Sequence, residues 1–207
     1  MPRHRLPVRA ILILLITAAA AAFLLLCKPE QPPLPLPDAA LLREGDWVFR
    51  SGTSADSRLI KTLSRSPYSH IGILVAVRPQ PVVAHATTDD DPERPNRVLL
   101  TPLADFAAAD RADGIAVARA RFLTPEQAAA AARHAKAQAG RAFVLTARHQ
   151  NPFYCTTLIA DAVHSQHPAF APKWQHLDIA LYRGDYLFPE AFAHENIEWI
   201  YRTPAKP

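Results

Sequence analysis

Cysteine is scarce in this sequence, and its scarcity narrows the possible architectures. The 207-residue chain contains two cysteines, Cys27 and Cys155. Cys27 lies at the end of an apolar N-terminal stretch, so Cys155 has no cysteine partner in the globular part of the chain. A disulfide framework is therefore excluded. A lone thiol leaves two alternatives, a small buried residue or a reactive nucleophile.

Excess charge is also lacking in the part of the chain that is expected to fold. The formal net charge is +4, and it falls to +1 when the three arginines near the N-terminus are set aside. A nearly neutral domain has no basic surface that would attract phosphates, so the charge gives no support for nucleic-acid binding. The sequence shows no internal repeat, and the globular part has the length of one ordinary domain.

Charged residues are absent altogether from Ala10 to Cys27. A helix of this length would span about 27 Å, close to the roughly 30 Å hydrocarbon core of a bilayer. Arg3, Arg5 and Arg9 precede the stretch, and only Lys28 follows it closely. The positive-inside rule then places the N-terminus in the cytoplasm and the rest of the chain outside it. The sequence thus predicts a single-pass protein of a bacterial inner membrane with a periplasmic domain.

Two other fates of this segment stay open. It is a signal peptide if it is cleaved near Ala18–Ala22, although the apolar Phe23–Leu26 continues past that alanine run. Alternatively, Cys27 is lipidated, since the residues before it resemble a bacterial lipobox, although Leu26 is larger than the small residue usual at that place.

Recurring prolines mark the boundary between this segment and the domain. Five prolines lie between Pro29 and Pro37, and they predict a stiff, extended spacer that cannot be helical. The predicted organisation is an anchor or signal segment at 1–28, a linker at 29–38 and a globular domain at 39–207.

Periodicity predicts an α+β domain in which a mostly antiparallel sheet packs against helices. Helices are predicted at 54–65, at 124–140, where Gly140 would be the C-terminal cap, and from near Cys155 onward. Short helical turns are predicted at 103–109 and 189–193. Apolar and β-branched runs predict strands at 47–51, 69–77, 81–86, 97–101, 114–121 and 197–201.

The surroundings of Cys155 predict that its thiol lies at the start of a helix. Pro152 and the polar residues before it are typical of a turn, and the apolar positions 158, 159, 162 and 163 repeat with a helical period. Unpaired backbone N–H groups and the helix dipole favour an anion at such a position. We therefore expect the thiol pKa to lie below its usual value of roughly 8.5.

Five segments of the chain carry a family resemblance: Leu42–Phe49, Ser69–Ile73, Val83–Ala86, Phe153–Ile159 and Leu187–Phe192. In order and in residues they resemble the circularly permuted branch of the NlpC-type papain-like cysteine hydrolases, the YiiX/YebB-like group. Lecithin retinol acyltransferase and its relatives belong to the same broad clade. In the permuted branch the histidine strand precedes the cysteine helix, as it does here.

The resemblance implies a permuted papain-like fold and acyl transfer through a thioester, with no cofactor. Cys155 matches the nucleophile of the family and His70 the general base. The third polar residue of this group is often glutamate in a Glu-Ala pair. The matching pair here is His85-Ala86, so the resemblance gives His85 the role of orienting His70. Family members act on peptidoglycan peptides or on lipid acyl groups.

Other interpretations of these residues stay open. His70 and His85, each taken alone, resemble satisfied core histidines. With Cys155 they have the ligand types of a zinc site, but no paired ligand spacing supports one. A further alternative is a catalytically silent module that holds a lipid or a cell-wall peptide. The acidic loop Thr87–Asn96 follows His85 directly, so we expect it to rim the pocket and to favour an uncharged acyl or amide substrate.

Overall fold

The computed structural model describes residues 32–203. From Pro33 onward the chain forms one compact unit. No helix within residues 32–203 is long and apolar enough to cross a membrane. The predicted anchor at Ala10–Cys27 lies outside the described residues, so it stays a prediction.

Antiparallel strands form the centre of the domain. They are β1 Trp47–Gly52, β2 His70–Ala76, β3 Val82–Thr87, β4 Arg97–Pro102, β5 Ala112–Ala120, β6 Gln175–Ile179, β7 Tyr182–Tyr186 and β8 Ile197–Arg202. Six of them make one sheet in the order β4-β3-β2-β1-β5-β8, and β6 and β7 pair separately as a hairpin. The predicted α+β class with an antiparallel sheet is confirmed.

Two of the helices begin where the sequence places polar caps. The helices of the described residues are α1 Ala55–Ser64, α2 Leu103–Phe106, α3 Pro125–Ala137, α4 Cys155–His164 and α5 Pro189–Ala193. Before α1, Ser54 Oγ accepts a hydrogen bond from the Ser57 N–H at 3.1 Å. Before α3, Thr124 Oγ1 accepts one from the Gln127 N–H at 3.2 Å. These bonds satisfy N–H groups that a helix start leaves unpaired.

The two faces of the sheet bury different layers, because side chains alternate along each strand. On one face, Trp47 and Ile71 share a core cluster with Leu158 of α4, and α4 itself packs on β2 and β3. On the other face, Leu74 shares a second cluster with Phe106 of α2. This arrangement brings the start of α4 to the end of β2 at which His70 lies.

The C-terminal end of α3 differs from the prediction. The helix ends at Ala137, and its cap is Gln138 rather than Gly140. Gly140 has a φ of 83° and donates its N–H to Val98 O at 2.9 Å. Its left-handed conformation, which glycine adopts without strain, therefore turns the chain toward β4 instead of closing the helix.

Two further features were not predicted. The β6–β7 hairpin has a weak sequence signal because most of its residues are polar or exposed, and only Leu177 and Tyr186 are buried. The described end of the predicted linker also lies against the domain. Leu34 packs on the second core cluster, and the Tyr201 hydroxyl donates to Pro35 O at 2.6 Å. The extended spacer is thus shorter than the sequence suggests.

Candidate active site

Cys155 is the first residue of α4, as predicted. Three hydrogen bonds of 2.8 Å hold the chain around it. The Tyr154 N–H donates to Thr157 Oγ1, the Leu187 N–H donates to the Tyr154 hydroxyl, and the Thr156 hydroxyl donates to Leu187 O. The first bond lies within the start of α4, and the two bonds to Leu187 hold that start against the segment before α5. The thiol is therefore held in place from both sides.

The thiol packs beside β2. Cys155 shares a core cluster with Ile71, and the backbone N–H of Ile71 favours the thiolate form of Cys155. Pairing between β2 and β3 stops at Ile73↔Ala84, so His70 and Ile71 lie beyond the last pair. The nucleophile therefore lies beside the part of β2 that carries His70.

A row of hydrogen-bonded side chains, formed by His70, His85 and Thr101, crosses β2, β3 and β4. His70 Nε2 lies 2.9 Å from His85 Nδ1, and His85 Nε2 lies 2.9 Å from Thr101 Oγ1. His70 Nδ1 is therefore the ring nitrogen left to act as a base. For Nδ1 to accept a proton, His70 must donate from Nε2 to His85, and His85 must then donate from its own Nε2 to Thr101.

A buried ion pair lies beside the two histidines. Arg50 is opposite His70 in the β1–β2 pair. Its guanidinium donates to both carboxylate oxygens of Asp90 at 2.7 and 3.1 Å, and also to Phe106 O at 3.2 Å. Asp90 Oδ2 lies 3.7 Å from His85 Nδ1. Burial opposes the ionisation of Asp90, but the hydrogen bonds and charge of Arg50 outweigh it and hold the carboxyl pKa well below its usual range.

Burial keeps both histidines neutral. It lowers the pKa of His70 well below its ordinary value, and the charge of Arg50 lowers it further, whereas Asp90 acts in the opposite direction. Burial and the charge of Arg50 likewise lower the pKa of His85 to about 3.

The thiol is also neutral, which contradicts the expectation of an acidic cysteine. Burial raises the pKa of Cys155 to about 11 and outweighs the hydrogen bonds from the backbone N–H groups of Ile71 and Thr156. The helix start does favour the thiolate, as expected. The cost of removing an anion from water is larger here, and it depends on burial in the folded protein.

One cavity of about 310 Å³ connects the reactive groups. Cys155, His70, Arg50 and Asp90 line it, whereas His85 is fully buried behind His70. In the described part of the chain no hydrogen bond joins the sulfur to the His70 ring. Catalytic hydrogen bonds are often long or poorly aligned in a free protein and shorten when substrate binds.

Comparison with known proteins identifies the family. The model of a family described as a permuted papain-like amidase enzyme, YaeF/YiiX, C92 family, matches residues 41–186. The chain belongs to this family. It is therefore a cysteine-dependent hydrolase of the permuted papain-like type, as the motifs predicted.

A solved structure has the same overall fold. The crystal structure of the metalloprotein yiiX from Escherichia coli O157:H7 has a similar fold, with a TM-score of 0.63 and 20% identity. The match covers 77% of this chain and 97% of that one. No curated protein matches the chain.

The three site residues of this amidase that the sequence predicts lie at or next to one cavity, and other residues of the site were not predicted. Cys155 and His70 line the cavity, and His70 Nε2 lies 2.9 Å from His85 Nδ1. Their catalytic roles stay predictions. Asp89 and Asp90 line the cavity as predicted for their loop, but Asp90 is a buried partner of Arg50 rather than a solvated rim residue. Nothing in the sequence marked Thr101 as a site residue, because it is only the last residue of a predicted strand.

The zinc alternative would need atoms that already have protein partners. His70 Nε2 and both ring nitrogens of His85 are engaged in the row that ends at Thr101. Among residues 32–203 of this amidase, no group of three or more His, Cys, Asp and Glu side chains is arranged to hold a metal ion.

Proposed function

We propose that this permuted papain-like amidase cleaves an amide or ester through a thioester on Cys155, with His70 as the general base and acid and His85 as the residue that orients it. The substrate is a lipid-type acyl group or amide, or a cell-wall peptide, near the membrane. Transfer to an acceptor other than water would make the same site an acyltransferase. The supporting observation is the shared cavity, which Cys155 enters from a helix start and His70 from the neighbouring strand.

Proton transfer and attack occur together in this mechanism, because the resting thiol and imidazole are neutral. His70 Nδ1 takes the thiol proton as the sulfur attacks the carbonyl carbon. The new imidazolium still donates from Nε2 to His85. The carboxylate of Asp90 favours its charge, and the guanidinium of Arg50 opposes it, so the imidazolium is short-lived and returns its proton readily. The backbone N–H of Cys155 at the start of α4 donates to the oxyanion of the tetrahedral intermediate.

Collapse of the intermediate returns the proton. The C–N or C–O bond breaks as His70 gives its proton to the leaving atom, and a thioester remains on Cys155. Water then attacks the thioester while His70 takes one of its protons. The C–S bond breaks, the proton returns to the sulfur, and a carboxylic acid leaves.

Acylation tests this proposal against the catalytically silent module. The rival is favoured by one observation, namely that no hydrogen bond joins Cys155 to His70 in the described residues. Under the proposed function, an activated fatty acyl ester should acylate Cys155 stoichiometrically, as measured by mass spectrometry, and His70→Ala should slow the step. A folded protein in which neither this ester nor a muropeptide modifies Cys155 would support the silent module.

The alkylation of Cys155 should respond to pH as a buried, neutral thiol does. We expect the rate with iodoacetamide to rise with pH toward about 11, because the thiolate is the reactive form and burial raises the pKa to that value. His70→Ala should leave the midpoint nearly unchanged, since a neutral imidazole does not stabilise the thiolate. A midpoint below pH 7 that disappears in His70→Ala would instead reveal a preformed ion pair.

Thr101 should contribute to turnover through the tautomer of His85. Thr101→Val removes the acceptor for the buried Nε2–H, so kcat should fall about 10- to 100-fold with little change in KM. Thr101→Ser keeps the hydroxyl and should restore most of kcat and the wild-type pH profile. If the serine variant were as slow as the valine variant, packing rather than the hydrogen bond would be the role of Thr101.

We also propose that the domain acts outside the cytoplasm, tethered by the N-terminal apolar segment. Because Pro35 O accepts a hydrogen bond from the Tyr201 hydroxyl, at most residues 29–33 serve as a spacer. Their reach is roughly 16 Å if extended. The site would then work close to the bilayer surface. Fractionation and protease accessibility in spheroplasts test this, and a cytoplasmic protein with an intact N-terminus would refute it.

A further inference from the structure

We propose that the cavity holds its substrate along α1, with a fatty acyl chain beside the C-terminal half of the helix and a neutral or cationic leaving group beside its N-terminal end. This inference rests on the proposed function, because it requires an acyl-enzyme on Cys155. It goes further by assigning a substrate class and an orientation. The observation behind it is that the cavity lining changes from acidic to apolar along α1.

The apolar end is formed by α1 and the β6–β7 hairpin. Ile60 and Leu63 of α1 pack on the cluster that contains Leu177 and Tyr186, and all four side chains line the cavity. Gln175 Nε2 fixes the hairpin against the helix by donating to Leu63 O at 3.0 Å. A concave surface of this composition favours a ligand segment without polar groups.

The acidic end lies at the start of α1. Thr53 donates its N–H to Arg111 O at 3.1 Å and its hydroxyl to Asp110 O at 2.8 Å. These bonds bring the loop before β5 to the N-terminus of the helix, where Asp56 also lines the cavity.

The charges of the lining do not balance. Four aspartates and two arginines line the cavity. Arg50 is paired with Asp90, and Arg111 Nε lies 4.0 Å from Asp110 Oδ2. Asp56 and Asp89 remain, and neither forms an ion pair within residues 32–203. Two carboxylates without ion-pair partners repel an anionic leaving group and attract a cationic one. Arg58, which donates to Thr53 O at 2.6 Å, weakens this effect but does not line the cavity.

The chemistry of the reaction decides which part of the substrate lies at which end. His70 gives its proton to the leaving atom, so the leaving group lies on the side of His70. The residue before His70 is fixed near the acidic end, because Ser69 Oγ accepts a hydrogen bond at 2.9 Å from the N–H of Gly52, which directly precedes Thr53. The acyl carbon bonds to Cys155. From there, Leu187 and Phe188 continue the cavity wall toward the apolar cluster, to which Phe188 belongs.

A series of acyl amides with one leaving group tests the apolar end. From butyryl to decanoyl, kcat/KM should rise about fourfold per methylene group until the apolar end is filled. Leu63→Asn, a change at the apolar end in the C-terminal half of α1, should flatten this rise. Leu181→Asn is the matched control, because Leu181 is 87% exposed and does not line the cavity.

Decanoyl amides of an aliphatic diamine, of ethanolamine and of glycine test the acidic end. We expect kcat/KM for the anionic glycine amide to be about tenfold below that of the neutral amide, with the cationic amide highest. Added salt should narrow these differences. The double variant Asp56→Asn/Asp89→Asn should narrow them too. Glu126→Gln on α3, which does not line the cavity, should leave them unchanged.

The outcomes separate this inference from the proposed function. A rate independent of chain length, or a preference for the glycine amide, would overturn the inference even if Cys155 is acylated and turnover proceeds. A folded protein whose Cys155 is acylated by none of these amides, nor by an activated ester, would overturn the proposed function as well.

Discussion

Cys155→Ala is expected to abolish turnover while the protein stays folded. Loss of the nucleophile should lower kcat on the order of 10⁴- to 10⁶-fold, because no other group can form the acyl-enzyme. The change removes one atom beside a cavity, so the thermal unfolding midpoint should move little. Hydrolysis of a decanoyl amide and a thermal melt measure the two effects on the same preparation.

The other cysteine supplies the matched control. Cys27 lies in the N-terminal apolar segment of the sequence, and Cys27→Ala should keep wild-type kcat in the full-length protein. Substrate binding to Cys155→Ala should persist, since the apolar and acidic ends of the cavity are unchanged. Substantial turnover by Cys155→Ala would remove the thiol from the mechanism.

Asp90→Ala should cause the largest loss of stability among the substitutions considered. It leaves the guanidinium of Arg50, which is 6% exposed, without its counter-charge. Breaking one partner of a buried pair costs about 3–5 kcal/mol in the free energy of unfolding. Chemical denaturation with urea measures this directly.

Two controls identify the cause of that loss. Asp91→Ala removes the neighbouring aspartate, whose partner Arg94 is on the surface, and should change stability little. The double variant Arg50→Met/Asp90→Ala removes both charges and should be more stable than Asp90→Ala alone. A double variant no more stable than Asp90→Ala would mean that lost packing, not the uncompensated charge, causes the effect.

The same pair predicts behaviour in acid. The pKa of Asp90 is lower in the folded protein than its ordinary value of 3.8, so its contribution to stability is present above that value. The contribution is lost as the pH falls below about 3.8 toward the folded-state pKa. Wild type should therefore lose stability over this range, whereas Arg50→Met/Asp90→Ala should lose less.

The candidate site shows how far sequence reasoning extends. Cys155, His70 and His85 were identified because their order and neighbours resemble those of a family, not because their spacing implies contact. The start of α4 at Cys155 was predictable, since a turn before a helical period is a local signal. The third residue is His85, where the group often has glutamate. The hydrogen bonds of His85 to His70 and Thr101 are compatible with the orienting role.

Some properties of the site required the folded chain. Arg50 and Asp90 are 40 residues apart, and each alone is an ordinary charged residue in a strand or an acidic loop. The pKa of the thiol depends on burial, whose effect outweighs the opposite effect of the helix start. The hairpin that forms the apolar end of the cavity has mostly exposed residues, so neither its pairing nor its contact with α1 was visible in periodicity.

The amino-acid sequence was sufficient to predict the α+β class, most strands and helices, and the candidate residues for the chemistry. Helices and strands were predictable because caps, turns and periodicity act over a few residues. The candidate site residues were predictable because the order of the motifs resembles that of the family. Three features emerged only in the folded protein, namely the charge pair beside the histidines, the neutral state of the thiol and the two-ended cavity. Each of these depends on burial and on contacts between distant segments, and these exist only once the chain has folded.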